Sequence, residues 1–289
     1  MTDADLTALW ALVQRDVGQR GVAGLFAATT ADFAPACRAL AATPGPISIL
    51  TGFPIHTPSG ILQETDGPLG AVFLARALTW LGYDVSLAVP PFAAAALLAA
   101  KAHLAAPPPL RHHPINHSAF WVTIECTGPA RDGRHYSMRG RDITLPDGHL
   151  GQFYPLLAQQ PAIGIGDGGN EVGMGKLPAE VIAACIPNGK RIACTIATTY
   201  LLAAGVSNWG AYALAAGVAA VRGQALPAVW FASAPHRELL RAMVLAGPLV
   251  DGVTGAGTLT VDNVPWPVYA GVLSDVGNWL AARGLLLDG

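Results

Sequence analysis

Asp167, Asn170 and Glu171 stand close together in GIGDGGNEVGMGK, residues 164–176, where six glycines leave much of the chain as bare backbone. Such backbone turns sharply and reaches positive φ at no steric cost, so two carboxylates and an amide can face one centre. Hard oxygen donors of this kind suit Mg²⁺ or Mn²⁺ rather than zinc. The same residues can equally cap a turn or the helix that starts near Pro178. Gly164, Gly166 and Gly169 also fit G-x-G-x-x-G. A pyrophosphate there would meet Asp167 and Glu171, and no acidic residue occurs between Glu180 and Glu238 to hold a ribose. A Walker loop fails as well, because Lys176 is followed by Leu177 instead of Ser or Thr. No nucleotide cofactor is expected.

Three further segments carry polar chemistry. QETDGPLGA, residues 63–71, places Glu64, Thr65 and Asp66 ahead of a helix whose first turn contains Pro68. Asp66 or Thr65 suits an N-cap, whereas Glu64 can bind a metal, take a proton or hold a substrate ammonium. RDGRHYSMRGRD, residues 131–142, offers Arg131, Arg134, Arg139 and Arg141 in a chain sparing with charge, and arginine clamps a carboxylate with paired hydrogen bonds. VSNWGAY, residues 206–212, sets Ser207 and Asn208 at a helix start, ready to cap it or to contact a carboxylate. His112, His113 and His117 have weak metal-like spacing in a Pro-flanked loop and read as surface residues. Cys37, Cys126, Cys185 and Cys194 form no C-x-x-C pair and read as reduced, mostly buried thiols.

Positioning these loops requires a scaffold, and the hydrophobic pattern supplies one. Strand-length runs at 47–50, 85–89, 120–126, 162–165 and 191–197 alternate with helix-length runs at 69–81, 92–103, 209–221, 236–245 and 268–283. That alternation predicts an α/β fold: a mostly parallel sheet covered by helices, three-layered and Rossmann-like. Ligands in such sheets sit beyond the carboxyl ends of the strands, and the polar loops all fall there. The chain of 289 residues is expected to be a single domain, with residues 1–45 as an N-terminal helical segment.

Composition narrows the partners. The chain is 52% hydrophobic and only 12% charged, but the apolar run 85–100 is broken by Pro90 and Pro91 and falls short of the ~20 residues a spanning helix needs. A net charge of −2 without a basic cluster argues against nucleic acid. The N-terminus MTDADLTALW is acidic and lacks a signal-peptide layout, so a cytoplasmic protein with a small-molecule partner is expected, with a homo-oligomer compatible.

At its polar loops the chain resembles the D-glutamate cyclase family. The likeness lies in GFP (52–54), ETDGPLGA (64–71), DGRHYSMRGRDI (132–143), GIGDGGNEVGMGK (164–176) and AGVSNWGAYAL (204–214), in that order. The resemblance implies a lyase that cyclises D-glutamate to 5-oxo-D-proline with loss of water, in which the substrate supplies its own nucleophile. It implies Glu64 or Glu171 as proton acceptor, a divalent ion on Asp66, Asp167 and Asn170, and Arg134 or Arg139 on the α-carboxylate. Lys176 or Ser207 would assist the leaving oxygen, and Thr65, Gly67, Gly168, Gly169, Asn170 and Asn208 would complete the substrate site. A metal-assisted hydrolase or lyase acting on another small carboxylate or amide, or a non-catalytic small-ligand sensor, could use the same loops.

Overall fold

The computed structural model describes residues 1–104, 107, 117–146 and 150–288. His112 and His113 lie outside them, and His117 is exposed. The chain begins with three short helices, α1 (Asp3–Ala11), α2 (Ala23–Thr29) and α3 (Phe33–Ala41). Strand β1 (Ile47–Gly52) leads into a hairpin of β2 (Pro54–Thr57) and β3 (Gly60–Gln63), then α4 (Pro68–Trp80), β4 (Val85–Ala88) and α5 (Pro91–His103). There follow β5 (Phe120–Cys126), α6 (Tyr154–Gln159), β6 (Ala162–Gly166), α7 (Ala179–Cys185), α8 (Gly189–Ile192), β7 (Tyr200–Ala203) and α9 (Ser207–Arg222). The chain closes with β8 (Leu226–Pro227), α10 (Ser233–Ala246), α11 (Trp266–Ala281) and β9 (Leu286–Leu287).

The central sheet is parallel throughout, in the order β4-β1-β5-β6-β7. Its strands are buried along nearly their whole length, which is why they read as continuous apolar runs instead of alternating ones. The connection leaving β1 runs to β4 on one side and the connection leaving β5 runs to β6 on the other, and the crevice opened by that divergence is where doubly wound sheets bind ligands.

The two faces of the sheet are covered differently. One carries the main core, in which α3, α4 and α9 face the strands that hold Ile49, Leu87, Val122, Ile124, Ile165 and Leu202, with α1 and α11 packed behind on α9. Helix α9 is buried from Ser207 to Ala220, and such a helix, apolar all round, belongs at the centre of a core. At its contact with α4, a side chain on Gly70 would come within 2.7 Å of the Asn208 Cα, so the two helices meet backbone to backbone. The opposite face is closed by shorter pieces around Leu50, Trp121, Leu157 and Val172 and around Leu25, Tyr136, Ile182 and Leu201.

One expected strand is corrected. Residues 191–197 are not in the sheet: α8 ends at Ile192, and the run then ties itself to loops, with Cys194 N–H donating to Gly169 O at 3.0 Å and Thr195 N–H to Pro129 O at 2.8 Å. Its apolar residues serve a satellite core with Met174, Ile182 and Ile186. The fifth parallel strand is β7, a few residues later. Among the described residues, no helix is long and apolar enough to cross a membrane.

Candidate functional site

A cavity of about 840 Å³ opens at the carboxyl ends of β1, β5 and β6, and its lining brings together Glu64, Asp167, Gly168, Asn170, Glu171 and Arg139 from three of the polar segments. The glycine loop is folded around its own acid. Glu171 takes Gly168 N–H on one carboxylate oxygen and Gly169 N–H on the other, each at 2.8 Å. Gly169 has φ 91°, and a side chain there would strike Ile182, so only glycine closes this turn. Asn170 donates its amide to Tyr136 O at 2.7 Å, which anchors the loop to the arginine segment and leaves its own Oδ1 buried without a partner.

Asp66 and Asn208 cap each other's helices. Asp66 accepts Asn208 N–H at 2.8 Å and Ser207 N–H at 2.8 Å, the first amides of α9. Asn208 Oδ1 in turn accepts Gly67 N–H at 3.0 Å and Gly70 N–H at 2.6 Å at the start of α4. The N-cap expected from Asp66 therefore exists, but it serves the helix that packs alongside. Both positive helix ends point at the acidic cavity floor. Thr65 is buried, and its carbonyl accepts the Asn208 side-chain amide at 3.2 Å.

Three residues of the floor were not singled out in the sequence. Glu125 lies at the end of β5, where the register slips so that Gly52 pairs with Cys126 and Glu125 becomes the extra residue of a bulge. Its φ of 47° is a left-handed conformation that glutamate seldom adopts. Its carboxylate accepts the Ser207 hydroxyl at 2.5 Å. Arg20, from the loop after α1, reaches Asp167 at 2.9 Å and Asp262 at 3.3 Å, and its guanidinium also donates to Gly205 O. Asp262 and Asn263 carry φ of 55° and 58°, a left-handed pair on the cavity wall.

Two expected residues stand apart. Lys176 pairs with Asp32, donates to Thr199 O at 2.8 Å and is not in the cavity lining; it fastens the far end of the glycine loop beside α3. Arg134 is not part of the cavity lining; it pairs at 2.7 Å with Asp142, which stands at the rim. Arg139 remains at the rim, donating to Val253 O at 3.1 Å. Ser207 and Asn208 hold the floor from behind through Glu125 and Asp66, and Gly67 is a capped helix start.

The floor gathers Glu64, Asp66, Glu125, Asp167, Glu171 and Asp262 around one guanidinium. Burial, reinforced by the neighbouring carboxylates, pushes Glu64, Glu125 and Asp262 well above the usual carboxylate range. Burial and then Asp167 raise Asp66 to about 7 and Glu171 to about 7, although backbone N–H donors pull both the other way. For Arg20, burial opposes the charge, but Asp167 and Asp262 outweigh it and hold the group above its ordinary range. Burial pushes the Cys194 thiol up to about 12, which removes it as a nucleophile near neutrality.

Asp66, Glu125 and Asp167 each offer an oxygen within 4.8 Å of the others. Two unit charges at that separation repel by about 3 kcal/mol at an effective dielectric of about 20, so the group needs shared protons or a cation to persist. The donor set is all oxygen; Asn170 Oδ1 and Glu64 Oε1 are buried without a hydrogen bond, and Asp167 Oδ2 is held by Arg20. These residues fit a hard divalent ion such as Mg²⁺ or Mn²⁺.

Residues 9–276 match the family model described as D-glutamate cyclase-like, C-terminal. The chain is also 30% identical over 228 residues to the mitochondrial D-glutamate cyclase of Homo sapiens, an alignment covering 68% of this chain and 35% of the human protein. The match thus spans about a third of that relative's length.

Proposed function

Because this chain belongs to the D-glutamate cyclase-like family, we propose that its cavity closes D-glutamate into 5-oxo-D-proline with loss of water. One observation carries this reading: ionisable oxygens from β5, the glycine loop and the segment before α4 meet in a single cavity with arginine at hand. No serine or cysteine nucleophile is required, because the α-amine of the substrate attacks its own side-chain carboxyl.

The residues present answer the three demands of that reaction. Folding the substrate so that its amine faces its γ-carbon turns a slow encounter into a unimolecular step, with effective molarities on the order of 10⁵ M or more for well-oriented groups. The ammonium must lose a proton, and Glu171, which sits at about 7, can take it. The departing oxygen must gain one, and Glu64, which burial and its neighbouring carboxylates push well above the usual carboxylate range, can supply it. Arg139 at the rim, or Arg20 within, holds the α-carboxylate. Asp66, Glu125 and Asp167 would hold a divalent ion, which when bound supplies Lewis-acid polarisation of a carboxyl oxygen.

The test is incubation of the purified protein with D-glutamate and with L-glutamate, with and without Mn²⁺, followed by chiral chromatography for 5-oxoproline. The expected result is 5-oxo-D-proline above the protein-free control. Absence of product under both conditions overturns the proposal.

A further inference from the structure

Free glutamate leaves much of the cavity unfilled. If each of its ten non-hydrogen atoms claims as much as the ~30 Å³ that a water occupies in bulk, glutamate takes at most about 300 Å³. The cavity offers about 840 Å³. The surplus lies outward from the acids, between Ile55 and His56 of the β2–β3 hairpin, Val253 to Gly255, and Val264 and Val268 ahead of and on α11. This outer chamber has apolar walls and a cationic rim of Arg139 and Arg141; Asp142, also at the rim, is already paired with Arg134.

The reacting carbon must sit against the floor of Glu64, Glu125, Asp167 and Glu171. A γ-amide brings the same carbonyl carbon there with one carboxylate oxygen fewer, and its nitrogen becomes a leaving amine once it gains a proton.

We propose that the site accepts D-glutamate joined through its γ-carboxyl to the amino group of a second amino acid, and cyclises it with release of that amino acid. This rests on the cyclisation reading above and extends it to a different leaving group. The α-nitrogen forms a bond to the γ-carbonyl carbon while the amide C–N bond breaks. The proton lost by the attacking amine is returned, through the floor carboxyls, to the departing nitrogen. Atoms balance without water, oxidant or reductant. The released residue occupies the outer chamber, its carboxylate toward Arg139 and Arg141, while Arg20 within holds the α-carboxylate of the glutamyl part.

The experiment compares γ-D-glutamylglycine with D-glutamate as substrates of the full chain, with Mn²⁺ and with EDTA, against protein-free controls. The expected kcat/KM for the dipeptide exceeds that for D-glutamate by about tenfold or more, the scale of a modest subsite contact. Ile55→Trp and Val268→Trp, which fill the outer chamber, are each expected to cut dipeptide turnover by about tenfold while leaving D-glutamate turnover unchanged. Turnover of D-glutamate with an equal or lower kcat/KM for the dipeptide overturns this inference and leaves the cyclisation reading standing. Turnover of the dipeptide alone supports the inference and removes free D-glutamate as the substrate. Inertness toward both overturns both.

Discussion

Asp251 and Glu64 are buried carboxylates on adjoining pieces of chain, joined by the bridge between Glu64 and Val250, yet their surroundings are opposite. Asp251 accepts four hydrogen bonds: Val253 N–H and Thr254 N–H at 2.9 Å each on one oxygen, and the Thr260 hydroxyl at 2.8 Å and Asn263 N–H at 2.7 Å on the other. It ties residues 251–264 into a rigid wall and so presents Asp262 to Arg20. Glu64 faces that wall at Gly252, where even a methyl group would collide with its carboxylate, and Oε1 has no partner. Burial alone therefore does not distinguish a structural acid from a chemical one. The number of donors it already holds does.

The contrast can be broken most sharply by Glu64→Gln. Loss of a general acid lowers turnover by roughly 10² to 10⁴-fold, while the melting temperature holds, because burial already favours the neutral carboxyl and an amide of the same shape replaces it. A 5-oxoproline assay beside a thermal melt checks both. Retained turnover with a lowered melting temperature would make Glu64 a second Asp251. Asp251→Ala orphans several donors at once and is expected to cost about 3 kcal/mol or more in a urea titration, together with activity.

Acidity sharpens the comparison further. Asp66 and Glu171 sit at about 7 in the folded chain, against about 4 for carboxyls exposed by unfolding. Between those values the folded state holds the extra protons. Their contribution to stability is fully present below pH about 4, declines through the window, and is gone above about 7. Urea midpoints should fall accordingly as pH rises. Mn²⁺ should reverse the fall near neutrality, by about 2.7 kcal/mol at a hundred times its dissociation constant, and Asp167→Asn should abolish that rescue in a calorimetric titration. Smallest is Asn208→Ala, which uncaps α4 and costs about 1 to 2 kcal/mol by the same urea measurement.

The sequence was most legible where chemistry and backbone demands coincide in one short segment. Glycines beside Asp167, Asn170 and Glu171, and Pro68 after Glu64 and Asp66, mark loops that must bend and carry acid, and the structure brings four of these five polar residues to the cavity lining, with Asp66 just behind. Glu125 was hidden because it is the penultimate residue of FWVTIEC, a run whose apolar residues declare a strand; the bulge sets it at the cavity. Arg20 and Asp262 come from opposite ends of the chain and meet through topology alone. Residues 191–197 misled because an apolar run fits a satellite core as well as a sheet. The arginine segment announced a clamp without saying which arginine faces inward, since that depends on its partners Asp142 and Val253.

The left-handed backbone at Glu125 sets durability against chemistry. Glycine or asparagine there would recover about 1 to 2 kcal/mol of conformational strain and delete a buried acid in the same stroke. A collection of variants sorted only for survival on heating would drift away from glutamate at this position and emerge sturdier and inert. Retention of Glu125 under such sorting would require that a bound cation reward the carboxylate during the selection itself.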